Sequence, residues 1–473
     1  MTMPRSTPSA QGVDGRGLLA LLDAAEVPGH GYHSLMVARH GRVIAEGWWT
    51  PYARERVHLA YSLSKSFTAT VLGHLVGRGL IDLDAPVLSY INGLGPVSPV
   101  WRSVTVRHCI TMTVGHTAEA WDERFLAVQL TGGLDDPDPV LQMILTREPD
   151  GQPGQVWAYN QVATYLVAQA IAGATGEPLS AHVRRVLLDP FGGDPARAQR
   201  TPQGRDVGAS GLHVTTPSIL ALAQTWLDKG RWQGAEIVPS DYADLATRPT
   251  PASLAADEVG DWAFGYGCSF WGGSHGYRGD GAYGQFAIVL PEQDVAVAIT
   301  SEVEVMQDVL DLLWAHLLPA IDAVPDPEAD QHLADRLAAL RHPALSGEGT
   351  RGPVSVRRDP ASRFPAEFSS AALDSTRAGQ HVLRIVHPSG ELVSLVGDGV
   401  WLESTWPTPF GPELALASSG GWNGGVFTAQ LRLVETPHTI LVSLDAAAGT
   451  VRLNWRMVPL TGPDPFWAAS SPF

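Results

Sequence analysis

Strand-like patterns lie at both ends of the first two thirds of the chain, with a mostly helical stretch between them. These patterns cover residues 34–38, 43–48, 262–271, 285–290 and 295–300, and the helical patterns include residues 161–174 and 303–321. Because strands must pair to satisfy their backbone groups, early and late strands are expected to meet in one mixed sheet that carries the helical stretch as a subdomain. We therefore predict an α+β domain over residues 1–323.

The rest of the chain has a different pattern. Repeated prolines, a short helix pattern and a Ser/Gly/Arg-rich stretch predict a linker over residues 324–365. Further on, Val451, Leu453 and Trp455 alternate with polar residues, which is typical of a strand with one buried face. Similar patterns separated by glycine-containing turns predict a smaller all-β antiparallel, barrel-like domain over residues 366–473.

Composition excludes several classes of partner and site. The formal net charge of −17 disfavours nucleic acid and anionic membranes, and no apolar run is long enough to span a bilayer. The polar first 17 residues do not resemble a secretory signal, so we expect a cytoplasmic protein. Neither the two cysteines nor the histidines show zinc-binding spacing, so no metal and no cofactor is expected.

Ser62 and Lys65 form the strongest chemical pattern. An apolar helix is predicted over residues 62–76, and residues three apart share a helix face, so the Lys65 amine is expected beside the Ser62 hydroxyl. Burial lowers the pKa of a lysine, so a neutral amine could take the serine proton. Lys65 is one of only two lysines among 32 basic residues, and an arginine could not act as a base. We predict that Ser62 is a nucleophile and Lys65 its base.

Two segments around this pair carry a family resemblance. Residues 61–68, YSLSKSFT, and residues 79–87, GLIDLDAPV, resemble the serine β-lactamase and penicillin-binding-protein superfamily. More narrowly, the chain is similar to the class C β-lactamase-related branch that includes family VIII esterases and D-aminopeptidases. The resemblance covers residues 17–317 and implies a β-lactamase/transpeptidase-like domain. It also implies that Ser62 is the nucleophile and Lys65 the first general base.

The second motif of this family is Tyr-x-Asn, and the resemblance places Tyr159 at its tyrosine. The Tyr159 phenol would then pass a proton to the leaving group, with its pKa lowered by the Lys65 ammonium. Gln161 stands where the family has asparagine, so a longer amide is expected in the substrate site.

The third motif, Lys-Thr-Gly or His-x-Gly, has no clean match. One register places Gly276-Tyr277-Arg278 at this motif, and the preferred one places Gly279-Asp280-Gly281 there with Ala282 next. In the preferred register, the Ala282 N–H would complete an oxyanion hole beside that of Ser62. The motif lysine is absent in both registers, which argues against β-lactamase activity, although Arg278 or His275 could replace its charge.

These patterns predict a serine hydrolase that cleaves an ester or amide bond, including a peptide bond, through an acyl-enzyme on Ser62. The predicted partner is a small-molecule ester, amide or peptide. The oligomeric state is left open. One alternative is a penicillin-interactive DD-peptidase or β-lactamase, and another is a non-catalytic binding or sensor protein on the same fold.

Overall fold

The computed structural model describes residues 3–27, 29–121, 138–349, 351–363, 367–377, 379–408, 412–468 and 471–472. The chain divides into two compact units. The first comprises Met1–Gly47, Ala60–Ala338 and Pro472–Phe473, and the second comprises Trp48–Leu59 and Ala339–Ser471. The predicted boundary between residues 365 and 366 lies outside the described residues.

A six-stranded sheet forms the centre of the first unit. Its strands are β1 (Tyr32–Arg39), β2 (Arg42–Trp48), β3 (Trp271–Gly273), β4 (Gly276–Gly281), β5 (Gln285–Leu290) and β6 (Val295–Ser301), in the spatial order β2-β1-β6-β5-β4-β3. The early strand β1 pairs antiparallel with the late strand β6. Every residue of β1, β5 and β6 is buried, so both faces of the sheet centre are covered. This pairing confirms that early and late strands meet in one sheet. The β1–β6, β6–β5, β5–β4 and β4–β3 pairs are all antiparallel, so the prediction that the sheet is mixed is wrong.

The α-helices of the first unit lie mainly between the early and late strands. They cover Gly15–Ala25, Ser64–Gly77, Val106–Ile110, Pro139–Thr146, Gln161–Thr175, Leu179–His182, Asp189–Phe191, Thr216–Leu227, Ser240–Ala246, Pro251–Leu254, Met306–Leu312 and Pro327–Ala338. Short strands lie at Ala196–Ala198, Leu212–Val214, Arg231–Trp232 and Ala235–Glu236. The apolar Thr216–Leu227 helix packs against β1, β5 and β6, which places it on one face of the sheet.

One predicted element of this unit is wrong, and a second is helical but less regular than predicted. Residues 262–271 were predicted to be a strand, but Gly265 and Ser269 adopt positive φ angles of 81° and 61°, and the chain turns back on itself there. Residues 303–321 were predicted to be one helix. The α-helix ends at Leu312 and continues as a π-helical turn, Leu313–Leu317, and a 3₁₀ turn, Leu318–Ala320. Residues 306–320 are therefore continuously helical, as predicted, although only the first seven form an α-helix.

The second unit is a nine-stranded sheet that closes on itself. Its strands are Val354–Arg358, Ser370–Arg377, Gln380–His387, Gly390–Gly397, Leu402–Trp406, Leu414–Asn423, Val426–Leu433, Thr439–Asp445 and Thr450–Trp455. Neighbouring strands are antiparallel except in two pairs. Val354–Arg358 is parallel to Thr450–Trp455, and Gly390–Gly397 is parallel to Leu414–Asn423, where Gly397 opposite Ser419 closes the ring. Leu383, Leu431 and Leu453 belong to its enclosed apolar core. The predicted α+β domain followed by a barrel-like β domain is therefore confirmed.

No helix in the described ranges is both long and apolar enough to cross a membrane.

Candidate active site

A tight turn presents Ser62 at the start of the predicted helix. A 3₁₀ turn, Tyr61–Leu63, precedes the Ser64–Gly77 helix, and Tyr61 has a positive φ of 48°. Such a conformation is costly for a bulky residue and often occurs at active sites. Ser62 is half-buried, whereas the rest of the turn is buried, so its hydroxyl faces accessible space.

Lys65 lies one helical turn after Ser62 and points back to it. The Lys65 Nζ atom is 3.0 Å from Ser62 Oγ, 2.5 Å from Gln161 Oε1 and 2.7 Å from the Ala209 carbonyl oxygen. The side chain is only 1% exposed. This burial lowers the pKa of Lys65 to about 7, although the charges of Glu119 and Asp280 act in the opposite direction.

The cap of the Gln161–Thr175 helix positions Tyr159 and Gln161. The Asn160 side chain accepts a hydrogen bond from the Val162 N–H, which fixes the first turn between the two residues. The Tyr159 ring lies 4.8 Å from Lys65 Nζ and stacks on Trp271 at 5.7 Å.

The prediction that Lys65 lowers the pKa of Tyr159 is wrong. Burial raises this pKa well above its ordinary value, and nearby groups including Asp280 raise it further. A hydrogen bond with Ser62 only partly offsets these effects. Because burial lowers the pKa of Lys65 to about 7, the amine is only partly charged at pH 7 and supplies too little positive charge to stabilise a phenolate. Tyr159 is therefore a protonated phenol at neutral pH.

Glu119 is a site residue that the sequence did not indicate. Its carboxylate accepts hydrogen bonds from the backbone N–H groups of Gln161, at 3.1 Å, and Trp121, at 2.8 Å. It also accepts one from the Gln161 side chain. Desolvation raises the pKa of Glu119, while these donors and Lys65 lower it. Glu119 lies in irregular chain with no motif around it, so no sequence signal pointed to it.

Strand β4 contains Gly279-Asp280-Gly281, the preferred match to the third motif, and passes close to the turn that holds Ser62. A Cβ atom on Gly281 would lie 2.1 Å from the Ala60 carbonyl oxygen, and one on Gly279 would lie 2.3 Å from Ser66 Oγ. Only glycines therefore allow β4 to approach the start of the Ser64–Gly77 helix this closely.

Ala282 begins the turn that follows β4, and a buried amide holds it in place. Gln285 Nε2 donates to the Ala282 carbonyl oxygen at 3.0 Å. The next residue, Tyr283, has a positive φ of 66°, and its ring packs against that of Tyr61 at 5.3 Å. The two tyrosines join the turn containing Ser62 to the turn containing Ala282.

The alternative match to the third motif, Gly276-Tyr277-Arg278, and the two candidate cations, Arg278 and His275, make contacts with other parts of the protein. The Tyr277 hydroxyl donates to the Trp226 carbonyl oxygen, away from Ser62. Arg278 is buried, its Nε is 3.2 Å from Asp280 Oδ2, and its guanidinium lies over the Trp262 ring. His275 packs against Trp314. Both Arg278 and His275 thus have partners other than substrate.

Known proteins resemble this chain in sequence and in fold. The Beta-lactamase family model matches residues 23–318. Esterase EstB of Burkholderia gladioli is 27% identical over 214 residues, which are 41% of this chain and 54% of the esterase. This chain therefore matches only about half of that protein. The 6-aminohexanoate-dimer hydrolase of Paenarthrobacter ureafaciens is 24% identical over 283 residues, 56% of this chain and 71% of that enzyme.

The solved structure of an octameric penicillin-binding protein homologue from Pyrococcus abyssi has a TM-score of 0.52 and 13% identity, covering 90% of this chain and 97% of that one. At that identity the likeness concerns the fold alone. The sheet, the helical subdomain and the Ser62–Lys65 pair define a β-lactamase-like class of protein. The chain belongs to the Beta-lactamase family, and the resemblance drawn from the sequence is confirmed.

Proposed function

We propose that this protein hydrolyses an ester or amide bond through an acyl-enzyme on Ser62, with Lys65 as the general base. The observation that carries this proposal is the set of three atoms around Lys65 Nζ. Two of them, Gln161 Oε1 and the Ala209 carbonyl oxygen, can only accept hydrogen bonds, whereas Ser62 Oγ can also donate. A neutral Lys65 has two N–H bonds and one lone pair. Both N–H bonds are taken by the fixed acceptors, so the lone pair faces the Ser62 proton.

Gln161 has its amide orientation fixed by a second contact. Its side-chain nitrogen donates to the Glu119 carboxylate, which turns its oxygen toward Lys65. The replacement of the family's asparagine by Gln161 therefore extends this chain of hydrogen bonds from Lys65 to Glu119.

The reaction follows from these positions. Ser62 Oγ attacks the carbonyl carbon while its proton moves to Lys65 Nζ. The backbone N–H groups of Ser62 and Ala282 stabilise the oxyanion. Tyr159 donates its phenolic proton to the leaving oxygen or nitrogen as the C–O or C–N bond breaks, and Lys65 returns a proton to Tyr159. Water then attacks the acyl carbon and gives one proton to Lys65. As the C–O bond between the acyl carbon and Ser62 breaks, Lys65 gives that proton to Ser62 Oγ and the acid is released.

The charges near Ser62 favour neutral or cationic substrates over anionic β-lactams. Arg278, the cation in the third-motif region, is paired with Asp280, and Glu119 adds negative charge beside Gln161. The relatives named as esterase EstB and 6-aminohexanoate-dimer hydrolase support an ester or amide substrate. A penicillin-interactive DD-peptidase or β-lactamase is the second candidate, supported by the family match.

Hydrolysis of short-chain nitrophenyl esters tests the proposal. We expect turnover by the wild type and a loss of at least about 10³-fold in Ser62→Ala. Ser274→Ala is the matched control, because Ser274 belongs to a G-x-S-x-G pattern but hydrogen-bonds to Asp261. This control should retain activity. Inability of the wild type to cleave any such ester would instead favour a non-catalytic binding or sensor protein.

A fluorescent penicillin separates the two enzymatic candidates. Stable labelling of Ser62 at micromolar penicillin, without ester turnover, would support the penicillin-interactive alternative. Ester turnover without labelling supports the proposal.

A further inference from the structure

Three potential metal ligands converge at one end of the barrel in the second unit. Glu367, His387 and Asp464 each offer a ligand atom, and these atoms all lie within 4.8 Å of one another. Glu367 precedes the second barrel strand, His387 is the last residue of Gln380–His387, and Asp464 precedes the 3₁₀ turn Pro465–Ala468. Three segments that are distant in the sequence therefore meet at this cluster.

His387 has an unsatisfied ring nitrogen. The residue is only 8% exposed, and its Nε2 atom is buried with no hydrogen-bond partner. Its Nδ1 atom is 2.7 Å from Ser389 Oγ and also accepts the Ser389 N–H at a longer 3.2 Å. Nε2 has a free lone pair in the ring tautomer in which Nδ1–H donates to Ser389 Oγ, the shorter of these contacts, and the contact with the Ser389 N–H is given up. Metal-binding histidines generally donate their other ring N–H to an oxygen atom in this way.

The two carboxylates have free oxygens for the same ion. Asp464 Oδ1 accepts the Phe466 N–H at 2.9 Å, which orients the side chain and leaves Oδ2 available. Glu367 is exposed, so it can adjust its position. Two carboxylates this close repel each other, and a cation between them would remove that repulsion.

We propose that Glu367, His387 and Asp464 bind one first-row divalent metal ion, with Zn²⁺ as the occupant. Ligand bonds of about 2.0–2.2 Å place two ligands of one zinc ion roughly 3.3–4.3 Å apart, which small side-chain movements within the cluster can reach. An imidazole nitrogen with two carboxylates suits zinc better than Ca²⁺ or Mg²⁺, which prefer oxygen ligands alone. Water would complete a four-coordinate site.

Such an ion would hold the three segments together and stabilise the folded unit, because it binds the native arrangement only. The cluster contains none of the residues proposed for catalysis. Its test is therefore independent of the proposed hydrolase activity.

Calorimetric titration of the metal-free full-length chain with ZnCl₂ at pH 7.5 tests the site. We expect one Zn²⁺ per chain, checked by elemental analysis, and a higher unfolding temperature with zinc. Glu367→Gln and His387→Gln should each weaken zinc binding by at least about tenfold. Glu367 is exposed, so its variant is expected to fold even where the histidine variant does not.

His381→Gln is the matched control. His381 is also buried with an unpartnered Nε2, but it lies outside the cluster, so its replacement should leave the Kd for zinc unchanged. Absence of zinc binding to the wild type at 100-fold molar excess of zinc over protein would overturn the proposal. Binding by Glu367→Gln as tight as that of the wild type would overturn it as well.

Discussion

The pH dependence of hydrolysis tests the role proposed for Lys65. Burial lowers its pKa from 10.5 to about 7, and only the neutral amine can accept the Ser62 proton. With that pKa, the neutral fraction is about one eleventh at pH 6, about half at pH 7 and about ten elevenths at pH 8. We therefore expect kcat/KM for a neutral ester to rise about tenfold from pH 6 to pH 8 and then to level off. A lysine at its ordinary pKa would still gain about tenfold per pH unit at pH 9.

The assay follows nitrophenol release at constant ionic strength, at a wavelength where both product forms absorb equally. Lys65→Arg keeps a positive charge and hydrogen-bond donors but cannot become a neutral base, so kcat/KM should fall by about 10²–10⁴-fold. A flat wild-type profile between pH 6 and pH 8 would refute the reasoning. So would Lys65→Arg activity within about threefold of the wild type.

Three further substitutions probe the surroundings of this pair. Glu119→Gln removes a charge that raises the pKa of Lys65, so the rising limb of the profile should move to lower pH; a shift to higher pH would contradict this. Tyr159→Phe should reduce kcat for an anilide by about 10²-fold or more. It should reduce kcat for a nitrophenyl ester less, because nitrophenolate leaves without a proton. Equal losses in kcat for the two substrates would argue against the proton-donor role. Gly281→Ala places a Cβ 2.1 Å from a backbone oxygen, so the free energy of unfolding, measured by thermal denaturation, should fall by about 1–3 kcal/mol. Gly352→Ala is the control: its Cβ would meet no atom within 4 Å, so the free energy of unfolding should hardly change.

The parts of the fold predicted correctly are those with strong local patterns. Strand β5 has the predicted bounds, and the Gln161–Thr175 helix differs from its prediction by one residue, because each has a continuous apolar pattern with clear ends. The segment 262–271 is equally apolar but is buried by aromatic packing, with Tyr266 against Trp271, rather than by strand pairing. Local pattern cannot distinguish these two means of burial.

The candidate site shows the same limit. The spacing of Ser62 and Lys65 was informative because it lies within one helical turn. The pKa of Tyr159 was predicted wrongly because it depends on burial and on charges from Glu119 and Asp280, which tertiary folding brings together. The cluster of Glu367, His387 and Asp464 was likewise invisible, because its members follow no zinc-binding spacing in the sequence.

The central claim is that Ser62 is the nucleophile, and active-site labelling tests it most directly. The intact mass of the wild type is measured after treatment with a fluorophosphonate, and the modified residue is located by peptide mapping. The account predicts one adduct per chain, on Ser62, and none in Ser62→Ala. An adduct on another serine, or equal labelling of Ser62→Ala, would contradict it.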